Sequence, residues 1–111
     1  MGLFSRKSRS KQAAQAAPGA RDAKAETVAH LTAFVASHTG CEAFIEPPTR
    51  VTQTTMVIVA DTGEWTRRRV PDDATARRLA KQFKVPAFDV NLSGYPSRMR
   101  EWNEKHRKGL G

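Results

Sequence analysis

Cysteine is almost missing from the 111-residue sequence, Cys41 being the only one. No disulfide can therefore close within the chain, and a secreted, disulfide-stapled scaffold is excluded. A reducing cytoplasm is the expected compartment. Long apolar runs are missing too, the longest being Met56 to Ala60, which predicts neither a signal peptide nor a transmembrane segment. Met1-Gly2 opens like a myristoylation signal, but Arg6 stands where Ser or Thr is required, with Ser5 one place early, so no lipid anchor is expected. The sequence contains no G-x-x-x-x-G-K-[ST], G-x-G-x-x-G or G-x-S-x-G pattern, so the common phosphate-loop, dinucleotide and hydrolase signatures do not apply and no cofactor is expected. Acidic residues are in short supply: 11 Asp and Glu face 19 Lys and Arg, for a net charge of +8. Such a surplus attracts nucleic acid, ribosomal surface or anionic lipid heads and repels basic partners. It also serves plain solubility.

Residues 1–23 read as a disordered basic tail. Ser5-Arg6-Lys7-Ser8-Arg9-Ser10-Lys11 leads into the low-complexity Gln12-Ala13-Ala14-Gln15-Ala16-Ala17, then Pro18-Gly19. That composition cannot bury enough apolar surface to offset its ordering entropy. Residues 24–108 read as one small domain with the order α-β-β-β-α-β-α. Val28, Leu31, Phe34 and Val35 recur at helical spacing up to Gly40, predicting a first helix over about 23–39 that stops at a left-handed glycine. Glu42-Ala43-Phe44-Ile45-Glu46 is a short strand ended by Pro47-Pro48. Val51 to Ala60 and Glu64 to Val70 flank Asp61-Thr62-Gly63 and predict two antiparallel strands, with the doubly apolar Met56 to Ala60 in the middle of the sheet. Pro71-Asp72-Asp73 starts a second helix with buried Ala76, Leu79, Ala80 and Phe83. Val85 to Val90 is a last strand. Pro96 opens a third helix whose Tyr95, Met99, Trp102 and His106 share one stripe. The fold class expected is α+β, a small antiparallel or mixed sheet of three or four strands with helices packed on one face.

Few residues suggest chemistry. Strand alternation puts Trp65, Arg67 and Arg69 on one side of the sheet and Thr66, Arg68 and Val70 on the other. An aromatic ring flanked by guanidinium groups can stack a base while holding phosphates. The same residues can equally be structural, with Trp65 in the core and the arginines paired to Glu46 or Glu64. In the third helix Arg98 and Lys105 line one shoulder of the apolar stripe, Arg100 and Arg107 the other, and Lys108 extends the basic end. These cations suit an anionic partner at the rim, while Glu101 and Glu104 supply self-pairing on the same helix. The candidate polyanion contacts are therefore Arg6, Lys7, Arg9, Lys11, Trp65, Arg67, Arg69, Arg98, Arg100, Lys105, Arg107 and Lys108. His38 and Cys41 have the spacing of half a zinc site, but no second Cys/His pair completes it, so Cys41 reads as a structural thiol. Asp72-Asp73 reads as a helix cap and not as an acid/base pair. No catalytic or metal-binding residue is assigned.

Glu46-Pro47-Pro48-Thr49, Gly63-Glu64-Trp65-Thr66-Arg67-Arg68-Arg69-Val70 and Gly94-Tyr95-Pro96-Ser97-Arg98-Met99-Arg100 resemble segments of a group of small actinobacterial proteins without assigned activity, some bearing a generic oxidoreductase label. The resemblance spans about residues 42–103. It implies a bacterial cytoplasmic protein and assigns no catalytic residues. The function expected from the residues themselves is a non-enzymatic, charge-dominated binding module for RNA, ribosome or DNA. A protein-interaction adaptor and, on the strength of the label, a small oxidoreductase are the alternatives.

Overall fold

The computed structural model describes residues 23–110. Its elements run α1 (Ala25–Ser37), β1 (Glu42–Glu46), β2 (Thr55–Val59), β3 (Trp65–Arg69), α2 (Asp73–Phe83), β4 (Ala87–Asp89), a single turn α3 (Val90–Ser93) and α4 (Ser97–Leu110). The four strands form one mixed sheet in the order β3-β2-β1-β4. Apart from the extra turn α3, this is the order and the α+β class expected. β1 and β2 pair antiparallel from Glu42 opposite Val59 to Glu46 opposite Thr55. β2 and β3 pair antiparallel from Thr55 opposite Arg69 to Val59 opposite Trp65. β4 returns parallel to β1, with Ala87 beside Ala43 and Asp89 beside Ile45. α2 forms the connection between β3 and β4, as a crossover to a parallel strand needs a long link.

Helix α2 begins where the sequence places it. Asp72 is the N-cap, its carboxylate accepting from the Thr75 backbone N–H at 2.8 Å, which satisfies an N–H group that has no partner within the helix. Asp73 pairs with Arg77 one turn on at 2.8 Å. α1 ends at Ser37 with His38 as its C-cap, and Gly40, with φ +60, turns the chain into β1 two residues beyond that cap, so the glycine does not itself stop the helix.

One expectation about layering is corrected: the helices do not lie on one face. Ala43, Ile45, Met56, Ile58 and Ala60 point to a first core shared with Leu31 of α1 and Ala76, Leu79 and Ala80 of α2. The alternate residues Phe44, Val57 and Val59 point the other way and bury Met99 of α4, with Trp65, Phe88, Val90 and Tyr95 packed around it. The reason is in β2, whose five residues Thr55–Val59 are all buried. A strand that is apolar on both sides cannot leave one of them to water, and among the described residues the long amphipathic segment left after α1 and α2 have covered the first face is α4.

The strand ends are also shorter than the apolar pattern suggests. Val51 to Thr54 lies in a loop closed by a Thr49 to Thr52 turn, where the Thr49 N–H donates to the Thr52 carbonyl at 2.9 Å. Gly63 is buried, with φ +96. It lets the β2–β3 turn lie against α4: a Cβ there would overlap the Arg98 carbonyl and come within 3.0 Å of Trp102 Cβ.

Candidate polyanion-binding surface

β1, β3 and β4 end, and β2 begins, at the same edge of the molecule. There the loop after β1, the start of α1 and the turn α3 surround an open groove of about 1040 Å³. Its walls include Lys24, Pro47, Arg67, Arg68, Arg69 and Tyr95. β3 is an outer strand of the sheet, so its three arginines stand at the boundary with solvent and are exposed.

The three differ in what holds them. Arg67 forms a two-pronged contact with Glu46, Nε to Oε1 at 3.0 Å and Nη2 to Oε2 at 2.9 Å. The Tyr95 hydroxyl donates to the same Oε2, so Glu46 is occupied from two sides. Burial and the adjoining Glu46 carboxylate push the Tyr95 phenol above its ordinary pKa. The Arg67 guanidinium lies 5.2 Å from the centre of the Trp65 ring. Arg68 reaches across the opposite side of the strand, bonding the Arg67 carbonyl at 2.8 Å and lying 3.3 Å from His30 Nδ1. Arg69 makes no ion pair with a described residue. His30 also contacts Thr66 Oγ1 at 2.6 Å; its burial, with the charge of Arg68, holds its pKa below the usual value.

The sequence candidates do not form one cluster. Arg6, Lys7, Arg9 and Lys11 lie outside the described residues, as does the side chain of Lys108. Trp65, Arg67 and Arg69 share a face of β3, but the Trp65 ring is half-buried in the second core and donates its Nε1–H to Asn103 Oδ1 at 2.7 Å. Arg98 turns into the body of the protein, where Nε donates to the Ala60 carbonyl at 2.8 Å and Nη2 to Glu42 at 2.7 Å. It ties α4 to β1 and β2. Arg100 bonds the Tyr95 carbonyl at 3.2 Å, and Arg107 lies 3.5 Å from Glu104. Lys105 is exposed on α4 and is not among the residues that line the groove.

Lys24, Arg68, Pro47 and Tyr95 were not among the candidates. Lys24 reads as the last of the N-terminal cations and not as a contact in its own right, and Tyr95 reads as part of an apolar stripe. Only the fold brings them beside β3. Two other titratable groups, His38 and Cys41, serve the fold. His38 stacks on Phe34 with ring centres 3.9 Å apart and bonds Glu64 at 2.9 Å. Hydrogen bonds to the Glu64 carboxylate and the Phe34 carbonyl raise its pKa. Cys41 belongs to the first core, and burial, with Asp61 nearby, pushes its thiol up. Among the described residues, no helix is long and apolar enough to cross a membrane. No protein-family model, curated protein or solved structure matches the chain. Geometry and charge are therefore the grounds on which its function can be assigned.

Proposed function

We propose that this protein is a non-enzymatic binding module for nucleic acid, RNA foremost, held mainly through its phosphates. One observation carries the reading: Ala23 and Lys24, where the described domain meets the basic segment 1–22, stand in the wall of the same groove as Arg67, Arg68 and Arg69. Residues 1–24 hold Arg6, Lys7, Arg9, Lys11, Arg21 and Lys24 against Asp22 alone. The groove thus continues the most basic stretch of the sequence. Arg67 is neutralised by Glu46, which leaves Arg68, Arg69 and Lys24 as the phosphate contacts, with the N-terminal cations adding to them. Contacts of this kind fix position and give affinity that falls steeply with salt, with little base readout.

The test is the salt dependence of RNA retention, measured for the full chain, for a form lacking residues 1–22 and for Arg68→Gln/Arg69→Gln. Each lost phosphate contact should reduce the slope of log affinity against log salt by about 0.7 on a single strand. Truncation and the double substitution should each flatten it while leaving the melting temperature in place. No RNA binding by the full chain at low salt would overturn the proposal.

A second reading, a protein-interaction adaptor, is favoured by the free edge of β3. The Ala60 to Glu64 and Val70 to Thr54 bonds, 2.8 and 2.9 Å, set the phase of the ladder. Thr66 and Arg68 therefore turn their main-chain groups to β2, while Trp65, Arg67 and Arg69 turn theirs outward. An extended peptide could add there. Its binding would persist in salt that removes RNA. For the oxidoreductase alternative, a flavin band in the absorbance of the purified protein would be the supporting result.

A further inference from the structure

Among the described residues two acidic side chains stand in the groove wall, Glu26 and Glu46. Glu26, in the first turn of α1, is exposed and makes no ion pair with a described residue. Glu46 is held by two partners. It ends β1 opposite Thr55, and Thr55 in turn lies opposite Arg69. Strand alternation therefore puts Glu46, Arg67 and Arg69 on one face of the sheet, the face that carries Phe44 and Val57. Arg67 reaches over β2 and engages both Glu46 oxygens, at 3.0 and 2.9 Å. The Tyr95 hydroxyl donates to Oε2, and the Tyr95 ring packs against the second core. The glutamate side chain is 20 % exposed and the arginine 44 %, so the carboxylate is set into the wall while the guanidinium stands within reach of a ligand.

A guanidinium fork takes a carboxylate and a phosphate in the same two-pronged geometry. Glu46 thus occupies on Arg67 the place that a phosphate of the ligand would take, while Arg69, two residues on along the same face, is left without an ion pair to a described residue. Resting on the nucleic-acid reading, we infer that Glu46 sets the affinity of the groove: as a built-in substitute for phosphate it withholds Arg67 from the RNA strand and leaves the phosphates to Arg68, Arg69 and Lys24. The hold on a strand is then one phosphate contact weaker than the arginines of β3 can give. Glu46 is a positioning residue, acting through Arg67, and the Tyr95 hydroxyl fixes the carboxylate in that task.

The experiment measures the affinity of the full chain for a short single-stranded RNA by fluorescence anisotropy over a series of salt concentrations. Glu46→Gln keeps the length of the side chain and an oxygen that accepts from the Tyr95 hydroxyl, and ion pairs at a surface contribute little stability, so the melting temperature should stay in place. Released from the carboxylate, Arg67 adds one phosphate contact: the slope of log affinity against log salt should steepen by about 0.7, which at 0.1 M salt is about fivefold tighter binding. Glu26→Gln makes the same change of charge in the same groove but releases no arginine, and should leave the slope unchanged. Arg67→Gln should leave the slope of the unsubstituted chain unchanged and, added to Glu46→Gln, should cancel the gain. The inference is overturned, with phosphate binding left standing, if Glu46→Gln leaves the slope where it was, if Glu26→Gln steepens it as much, if Arg67→Gln alone flattens it, or if the gain survives the loss of Arg67. Failure of both the full chain and Glu46→Gln to bind RNA at low salt overturns the nucleic-acid reading itself.

Discussion

The most informative single residue is Trp65, because it sits on the basic strand and yet belongs to the core. Replacing it with Ala removes a half-buried ring from the cluster of Phe44, Val57, Val59 and Met99, together with the 2.7 Å bond to Asn103. Large aromatic truncations in cores cost about 3–5 kcal/mol, and with one side of the ring already open to water the lower end applies, about 3 kcal/mol. The indole hydrogen bond accounts for roughly 1 kcal/mol of that. Trp65→Phe keeps most of the burial and should cost only the hydrogen-bond share, about 1 kcal/mol. In a domain of this size these losses correspond to falls in Tm of roughly 12–24 °C for Ala and about 4–8 °C for Phe. Far-ultraviolet circular dichroism against urea measures both, with Trp102 left as an independent fluorescence probe of α4. RNA retention, measured where both variants are still folded, should change little. If Trp65→Ala kept its urea midpoint and lost RNA retention, the ring would be a stacking surface and its placement in the second core would be refuted.

Three further outcomes are expected from the same structure. Gly63→Ala would push a methyl into the Arg98 carbonyl at a backbone φ of +96, so it should destabilise by at least the roughly 1–3 kcal/mol of a strained residue, and proteolysis should show α4 loosened first. His38 and His30 act on stability with opposite signs. The raised pKa of His38 means that its bond to Glu64 stabilises fully below pH 6.5 and fades as pH rises through the folded-state value. The lowered pKa of His30 costs stability as pH falls through 6.5, where the unfolded chain takes up the proton more readily. His38→Gln should therefore remove stability mainly on the acid side, and His30→Gln should restore some there, in thermal melts between pH 5 and 8; the same sign for both would refute the assignment. Cys41, buried with its thiol pKa raised, should react with a disulfide reagent far more slowly in the native protein than in urea, and Cys41→Ala should leave RNA binding unchanged.

Much of the fold was legible in the sequence because each element announces itself locally. Apolar spacing gave α1 and α2, the run Met56 to Ala60 gave the inner strand, and Asp72 gave a cap that the structure places on the Thr75 N–H. The layering was harder to read. The doubly apolar β2 already required two covers, and the stripe of α4 suits a helix docked on the sheet, but the expectation put every helix on one face, whereas α4 covers the second. The groove was not legible at all. Its walls come from the start of α1, the loop after β1, the end of β3 and the segment around Tyr95, and no local pattern records that they meet. Partner choice was equally hidden: Arg67 could pair with Glu46 or with Glu64, and only the register decides for Glu46, leaving Glu64 to His38.

The two-sided sheet also has a consequence for the order in which the protein is made. Phe44, Val57 and Val59 leave the ribosome well before α4, the helix that will cover them, because β3, α2 and β4 must be synthesised in between. At about 5–20 residues per second, the first face can close on α1 and α2 while the second stays bare for a matter of seconds. During that interval the nascent sheet presents a flat apolar surface next to the unpaired outer edge of β3, the combination that invites strands of neighbouring chains to join. The charge of Arg68 and Arg69 along that edge, not neutralised as Arg67 is by Glu46, repels a second copy of itself. A strand that carries its own mutual repulsion thus guards the half-built domain until its last helix arrives, and lengthening the wait with slow codons before Ser97 should raise aggregation most in a variant in which those arginines are neutralised.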